Sequence, residues 1–315
     1  MDVSVVVTVF NEEKSIRRLL DSLLRQTKKP SEIVIVDAGS RDKTREIIRE
    51  YQQNSKAIKL YVSIGSIAHG RNTAIEKAKH VVLAQIDAGC IAKNDWLEKI
   101  TKPLENKDIE FVAGFYNMTA DTSFQKALAP FIGIVPERFN PHTFFPSARS
   151  MAFRKEVWKR VGGYSEKLKG AGEDTLFNHQ LIEHGVKITR AKDAIVYWEV
   201  PRTLKEALKK FYVYAKGDAQ TAIWWDPAKR ISTHNIKILS IYGRYLLGIL
   251  LLLLSLRFVP ALFILIACFI CYICWSIWKM KDIVKETPTR LWIPVIQILS
   301  DFAIMIGFSS GMRKK

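Results

Sequence analysis

Asn11, Asp37 and Asp87 each fall just after a strand-like run of aliphatic residues. In alternating α/β sheets ligands bind beyond the carboxyl ends of the strands, so three polar side chains on one rim point to a site. A carboxylate there can accept hydrogen bonds from a ligand's N–H groups. Asp37 before Ala38-Gly39-Ser40 is also an ordinary turn former. Glu173 and Asp174 stand together behind Gly170-Ala171-Gly172, a stretch that allows close backbone approach and loop closure. Two acids also suit a helix N-terminus for electrostatic reasons alone. Arg138, His142 and Arg149 lie in the Pro- and aromatic-rich stretch 115–149, where they could meet a phosphate or be surface residues. Cys268, Cys271 and Cys274 recur every third residue in an apolar run and read as small residues for helix packing.

The elements that must position these groups follow from periodicity. Residues 3–9 are β-branched and read as a buried strand, with Asn11 as N-cap of a helix to about 26. A second strand at 32–36 leads through the Asp37 turn to a helix ending near 52. A short strand at 59–62, a helix at about 69–79 and a strand at 81–86 complete the series. This alternation predicts an α/β fold: a mostly parallel, Rossmann-like sheet flanked by helices. Phe10-Asn11-Glu12-Glu13 is not the Gly-x-Gly-x-x-Gly turn that a dinucleotide-dependent oxidoreductase requires after its first strand.

Of the 315 residues, 48 are Lys or Arg and 31 are Asp or Glu, a formal charge of +17. Aromatics at 11% and charged residues at 25% exclude a disordered chain, and four cysteines exclude a disulfide scaffold. Residues 237–315 hold 10 basic and only 3 acidic residues, set between long apolar runs. The runs at about 238–256, 258–278 and 291–311 are candidate membrane helices, because about 20 apolar residues span a bilayer core. The organisation expected is a catalytic domain at 1–201, an amphipathic interfacial segment at 202–237 and a membrane region at 238–315. In the segment, Leu204, Leu208, Phe211 and Ala215 recur at helical spacing, with Trp224 and Trp225 following. That stripe suits a headgroup layer or, equally, packing on the protein itself. With no leader-like stretch ahead of the first strand, the catalytic domain is expected in the cytosol, on an integral, multi-pass membrane protein. Three crossings would then put the basic tail Arg313-Lys314-Lys315 outside, against the positive-inside rule, unless one segment does not cross. The basic balance comes without a recognised nucleic-acid motif, so no nucleic-acid partner is expected.

Six segments in register resemble the family 2 glycosyltransferases, which have the A-type nucleotide-sugar-binding fold. They are Val3 through Glu13, Val36-Asp37-Ala38-Gly39-Ser40, His69-Gly70-Arg71-Asn72, Ile86-Asp87-Ala88-Gly89, the stretch Met151 to Tyr164, and Glu173-Asp174-Thr175. Phe211 to Asp218 resembles a closing element of some members. The resemblance implies that Thr8, Phe10, Glu12, Asp37, Arg71 and Asp87 contact the nucleotide sugar. Asp37 would accept from the base, and Phe10, standing where Tyr is usual, would pack near it. Thr8 stands where Pro is frequent. Glu12 either touches the nucleoside or favours a helix N-terminus. Arg71 would hold phosphate oxygens. Asp87 would hold Mg²⁺ or Mn²⁺ on the diphosphate, although Asp87-Ala88-Gly89 lacks the second Asp of the usual motif.

Asp174 would be the general base of an inverting transfer, with Glu173 and Gly172 on the acceptor side. The function implied is transfer of a sugar from a nucleotide diphosphate donor to a membrane-associated, lipid-linked acceptor, with membrane lipid around it. A catalytically degenerate nucleotide-sugar-binding membrane scaffold is the alternative.

Overall fold

The computed structural model describes residues 1–168, 170–226, 231–232 and 234–313. The Trp225 side chain and the Lys314-Lys315 tail lie outside the described residues. The chain divides into two compact units. One comprises Met1–Thr119 with Arg138–Glu199, and the other Ala120–Glu137 with Val200–Lys315.

The first unit is built of β1 (Val3–Val9), α1 (Ile16–Leu24), β2 (Glu32–Asp37), α2 (Thr44–Asn54), β3 (Ile58–Val62), α3 (Ile67–Lys77), β4 (Val82–Gln85), β5 (Cys90–Ala92), α4 (Trp96–Thr101) and β6 (Phe111–Thr119). After α5 (Ser123–Ile132), which belongs to the second unit, come β7 (Met151–Arg154), α6 (Lys155–Arg160), α7 (Glu173–Glu183) and β8 (Ile188–Glu199). The strands form one sheet in the order β3-β2-β1-β4-β7-β6-β8-β5. β1 pairs in parallel with β2 and β4, β2 with β3, and β6 with β8. β7 is antiparallel to β4 and β6, and β5 to β8. The sheet is therefore mixed, parallel where short βα crossovers build it. β5 and β7 arrive by other connections and are free of that constraint.

Local patterns explain the elements. β1 and β2 are buried almost throughout, as central strands covered on both faces must be. α1 buries Ile16, Leu19, Leu20 and Leu23, the i, i+3, i+4, i+7 stripe of an amphipathic helix. It starts at Ile16 behind Ser15, not at Asn11. Asn11 instead adopts φ 55°, a left-handed conformation that Asn tolerates. Its N–H donates to Ser40 Oγ at 2.8 Å, and its Oδ1 accepts from the Arg41 N–H at 2.9 Å. The end of β1 is thereby stitched to the turn after β2. Under the site, Phe111 stacks on Phe153 with centroids 5.3 Å apart, and Tyr164 stacks on Phe177 at 4.3 Å. Each such fully buried ring contributes about 1.5–3 kcal/mol.

The second unit holds α5, α8 (Leu204–Thr221), β9 (Trp225–Asp226), β10 (Ile231–Ser232), α9 (His234–Ser255), α10 (Val259–Trp278), α11 (Thr287–Arg290) and α12 (Trp292–Met312). α8 opens with a capping box between Thr203 and Glu206. It buries Ala207, Phe211, Ala215 and Ala219, a stripe spent on α12. The helices at Asn235–Ser255, Val259–Trp278 and Thr287–Met312 are long and apolar enough to cross a membrane.

Candidate functional site

Pairing brings the ends of three parallel strands level: Val9 sits opposite Asp37, and Asp37 opposite Val62. Beyond that rim, Asp37 is fully buried. Its Oδ1 accepts from the Gly39 and Ser40 N–H groups, both at 2.9 Å, a turn that Gly39 permits at φ +101°. Its Oδ2 is buried and has no partner, an acceptor poised for an N–H donor. Phe10, 56% exposed, offers an aromatic face at the same rim. Thr8 also has a buried, unpartnered hydroxyl, and Gly70 packs against it: a Cβ on Gly70 would meet Thr8 Cγ2 at 2.4 Å. The Glu12 carboxylate accepts from the Ser15 hydroxyl, and its N–H donates to Thr44 Oγ1 at 2.7 Å.

Arg71 is the centre of the arrangement. It is 4% exposed, its Nη2 donates to Asp87 Oδ1 at 2.9 Å, and its Nη1 donates to Glu173 Oε1 at 2.5 Å. The guanidinium also stands 5.4 Å from the centroid of the Tyr164 ring. Both terminal nitrogens are thus committed to carboxylates, and Arg71 ties Asp87, after β4, to the first residue of α7. Burial works against its charge, but Asp87 and then Glu173 outweigh it and hold the guanidinium well above its usual range. Burial pushes the Glu173 carboxyl up, against the pull of Arg71. Glu173 Oε2 is buried without a partner. Asp174, next in the chain and partly exposed, acts on Arg71 electrostatically. One guanidinium therefore faces three carboxyl groups, more acids than it can pair.

Gly172 supplies the N-cap of α7 at φ 103°, which a residue with a side chain seldom adopts. Asp87 lies in the turn between β4 and β5, its carbonyl accepting from the Cys90 N–H at 3.1 Å. It does not cap α4, whose N-cap is Asp95. Among the described residues, no group of three or more His, Cys, Asp or Glu is placed to hold a metal ion. Asp87 can offer one carboxylate oxygen, since only Oδ1 is engaged by Arg71 and its side chain is 33% exposed.

Several participants escaped sequence reasoning. Asn72 is saturated: Nδ2 donates to Tyr164 O and Glu166 Oε1, both at 2.8 Å, and Oδ1 accepts from Trp158 Nε1 and the Tyr164 N–H at 3.0 and 2.9 Å. Tyr164 donates its hydroxyl to Gln85 Oε1 at 3.0 Å, and burial pushes that phenol up. His69 Nδ1 lies 3.0 Å from Glu166 Oε2, and Nε2 lies 2.7 Å from Ser63 Oγ. A carboxylate only accepts, so with a neutral ring the proton is on Nδ1 and the Ser63 hydroxyl donates to Nε2. The Asn72 hydrogen bond, then His69, holds the Glu166 carboxyl below its usual range, against burial. The available signal was the string His69-Gly70-Arg71-Asn72, three polar side chains opening one helix. All three reach the 164–173 segment.

Arg149, also a candidate from the sequence, meets aromatic rings. Arg149 packs its guanidinium 4.0 Å from the Trp198 ring and 5.3 Å from the Tyr116 ring, and donates to Ser147 Oγ. Asp301 is paired with Arg244 in the second unit.

A family model described as Glycosyl transferase family 2 matches residues 4–162, just over half of the chain. The chain belongs to the family 2 glycosyltransferases. A second model, Glycosyl transferase family group 2, matches residues 109–278 of this glycosyltransferase. The enzyme is 27% identical over 256 residues to Glycosyltransferase AglE of Haloferax volcanii, covering 76% of this chain and 79% of that one. It is 30% identical over 228 residues to an uncharacterized glycosyltransferase of Methanocaldococcus jannaschii, covering 67% and 77%. Among solved structures, a mannosyltransferase of Pyrobaculum calidifontis in complex with GDP-Man and Mn²⁺ matches with TM-score 0.59 at 19% identity, over 99% of this chain and 88% of that one. The glycosyltransferase therefore shares that fold.

Proposed function

We propose that this glycosyltransferase moves a sugar, with inversion, from a nucleotide diphosphate donor to a hydroxyl or phosphate on a lipid-linked acceptor. The observation that carries the proposal is the buried Arg71 clasp, which holds Asp87 beside Glu173 and Asp174 and leaves negative charge uncompensated. The unpartnered Asp37 Oδ2 supports base recognition through an N–H, with Phe10 packing near the base and Thr8 and Glu12 at the same rim. Arg71 positions Asp87 and Glu173, to each of which one of its terminal nitrogens donates.

The residues present fit a divalent cation: Arg71 engages only one carboxylate oxygen of the partly exposed Asp87, and acids outnumber the cation around it. Mg²⁺ or Mn²⁺, held by Asp87, diphosphate oxygens and water, would neutralise the departing nucleoside diphosphate. In the transfer, an acceptor oxygen attacks the anomeric carbon and forms the new C–O bond. The bond to the diphosphate oxygen breaks, and that oxygen keeps the electron pair. Asp174 takes the acceptor's proton. The apolar helices favour an acceptor carried by a lipid, a multi-pass membrane protein and a cytosolic catalytic unit.

GDP-mannose with Mn²⁺, bound by the mannosyltransferase of like fold, is the first donor and cation to try. With purified protein and polyprenyl phosphate, Asp174→Asn is expected to lower transfer by about 10²–10⁴-fold while donor binding persists. Transfer at the wild-type rate in Asp174→Asn removes the assigned base. The scaffold reading draws on the absent second Asp after Asp87. Nucleotide binding with no turnover for any donor and acceptor pair would favour it.

A further inference from the structure

We propose that α12 does not cross the bilayer: it lies in the headgroup layer, across the polar end of a two-helix hairpin formed by α9 and α10. Length and apolar composition make α12 a candidate span, but its contacts run the wrong way for one. Near its start, Gln297 accepts from Lys279, just past the end of α10. At its middle, Asp301 meets Arg244 and Tyr245 of α9 and Tyr272 of α10. Toward its end, Tyr242 donates to Met305 O at 2.6 Å and bonds Ser309 Oγ, and Phe308 packs with Tyr242 and Ile238. Along α10 these contacts climb to Lys279, and along α9 they climb to Ile238. In an antiparallel hairpin whose turn is at Arg257, both positions lie at the same end. A helix spanning beside the hairpin would instead follow one neighbour from end to end.

α8 covers one face of α12. Gly307 and Gly311 sit directly on α8: added Cβ atoms would meet Tyr212 O at 2.3 Å and Lys216 O at 2.5 Å. Position 307 faces 212 and 311 faces 216, so the helices run parallel and in register, and Tyr212 Oη donates to Ser310 Oγ at 3.0 Å. Over its 18 residues α8 carries Lys205, Glu206, Lys209, Lys210, Lys216 and Asp218. Each charge at a bilayer centre costs about 2.5–3.5 kcal/mol, so α8 stays out of the hydrocarbon, and the half of α12 locked to it stays out too.

The remaining face of α12 fits a lipid surface. Trp292, Val295, Phe302 and Ile306 are exposed and share one side of the helix, with Arg290 ahead of them and Arg313 behind. The hairpin differs. From Leu246 to Ile270 its large apolar side chains point outward along both helices, as a lipid-immersed pair requires. Counting about 1.5 Å per residue, Lys237 to Arg257 and Arg257 to Lys279 each cover about 30 Å, one hydrocarbon thickness. The Arg244–Asp301 pair then lies about 10 Å inside the polar end, the depth to which an interfacial helix buries its apolar face. An interfacial α12 also removes the conflict between three crossings and the basic tail.

The test is whether the two ends of α12 share a face. In a chain whose four native cysteines are replaced by serine and which still binds nucleotide, Lys285→Cys and Met312→Cys are labelled in sealed vesicles with a membrane-impermeant maleimide. Both are expected to label, or both to be protected, together. Labelling of one with the other protected until detergent is added overturns the proposal. Impermeant amine labelling of the unsubstituted chain, read by peptide mass spectrometry at Lys285 and Lys315, makes the same comparison should the cysteine-free protein fail to fold.

Discussion

Each unit contains an arginine beside a buried carboxylate with a tyrosine against it, Arg71 buried and Arg244 exposed, and the two arrangements differ in how completely they are closed. In the second unit Asp301 accepts from Arg244, Tyr245, Tyr272 and Gln297. Nothing there is left over. In the first unit Arg71 faces three carboxylates, and Glu173 Oε2 and Asp37 Oδ2 are buried without partners. Leaving a buried polar atom unmade costs about 1–3 kcal/mol, so an arrangement that tolerates two such atoms is built for something that completes it. A saturated ion pair specifies packing; an unbalanced one specifies a ligand.

The largest effect that would break this comparison is Arg71→Met. It strands Asp87, Glu173 and Asp174 together, and we expect a loss of about 3–5 kcal/mol in the first unit, read as a lowered unfolding midpoint in detergent. Arg244→Met is expected to cost less, because three neutral donors still serve Asp301. Combining it with Asp301→Asn is expected to restore stability to within about 1 kcal/mol of wild type, with sugar transfer retained. Equal losses for Arg71→Met and Arg244→Met would erase the distinction.

Glycines sharpen it at intermediate size. Gly163 has φ +70°, and a Cβ there would meet Trp158 Nε1 at 2.9 Å and Asn72 Oδ1 at 3.0 Å. Gly163→Ala is expected to cost about 1–3 kcal/mol and to lower transfer by loosening the 164–173 segment. Gly243 in α9 has open space where a Cβ would go, so Gly243→Ala is expected to be neutral or to stabilise by up to about 1 kcal/mol. A thermal unfolding series on both variants checks the pair.

The smallest effect concerns a pair at the surface of the first unit. Arg160 donates to both oxygens of Glu110 at 2.8 Å and holds that carboxyl below its usual range. A depressed carboxyl stabilises the fold above its unfolded value and loses that contribution as pH falls through its folded one. Glu110→Gln should therefore cost about 0.5–1 kcal/mol above about pH 4.5, and the difference should fade below it. A stability gap that widened on acidification would reverse the sign.

The same contrast explains what could be read from the residues in order. The rim carrying Asp37 and Asp87 was legible because strand periodicity ends sharply at each of them. Glu173 and Asp174 were legible behind a glycine pair. The partners that complete the clasp were not, because they are set by contacts across 92 and 102 residues: Asn72 with Tyr164, and Arg71 with Glu173. Nor could sequence show that Arg71 joins Asp87 to Glu173. In the second unit, composition located three apolar helices but not the neighbour of each. The packing of Gly307 and Gly311 on α8 is one such neighbour relation, and it sets α12 apart from the other two.

Nucleoside diphosphate binding with and without Mn²⁺, compared between wild type and Asp87→Asn by calorimetry, tests the central claim most directly. The unbalanced charge around Arg71 predicts that Mn²⁺ strengthens binding by at least tenfold in wild type and by little in Asp87→Asn. Equal strengthening in both proteins would contradict it.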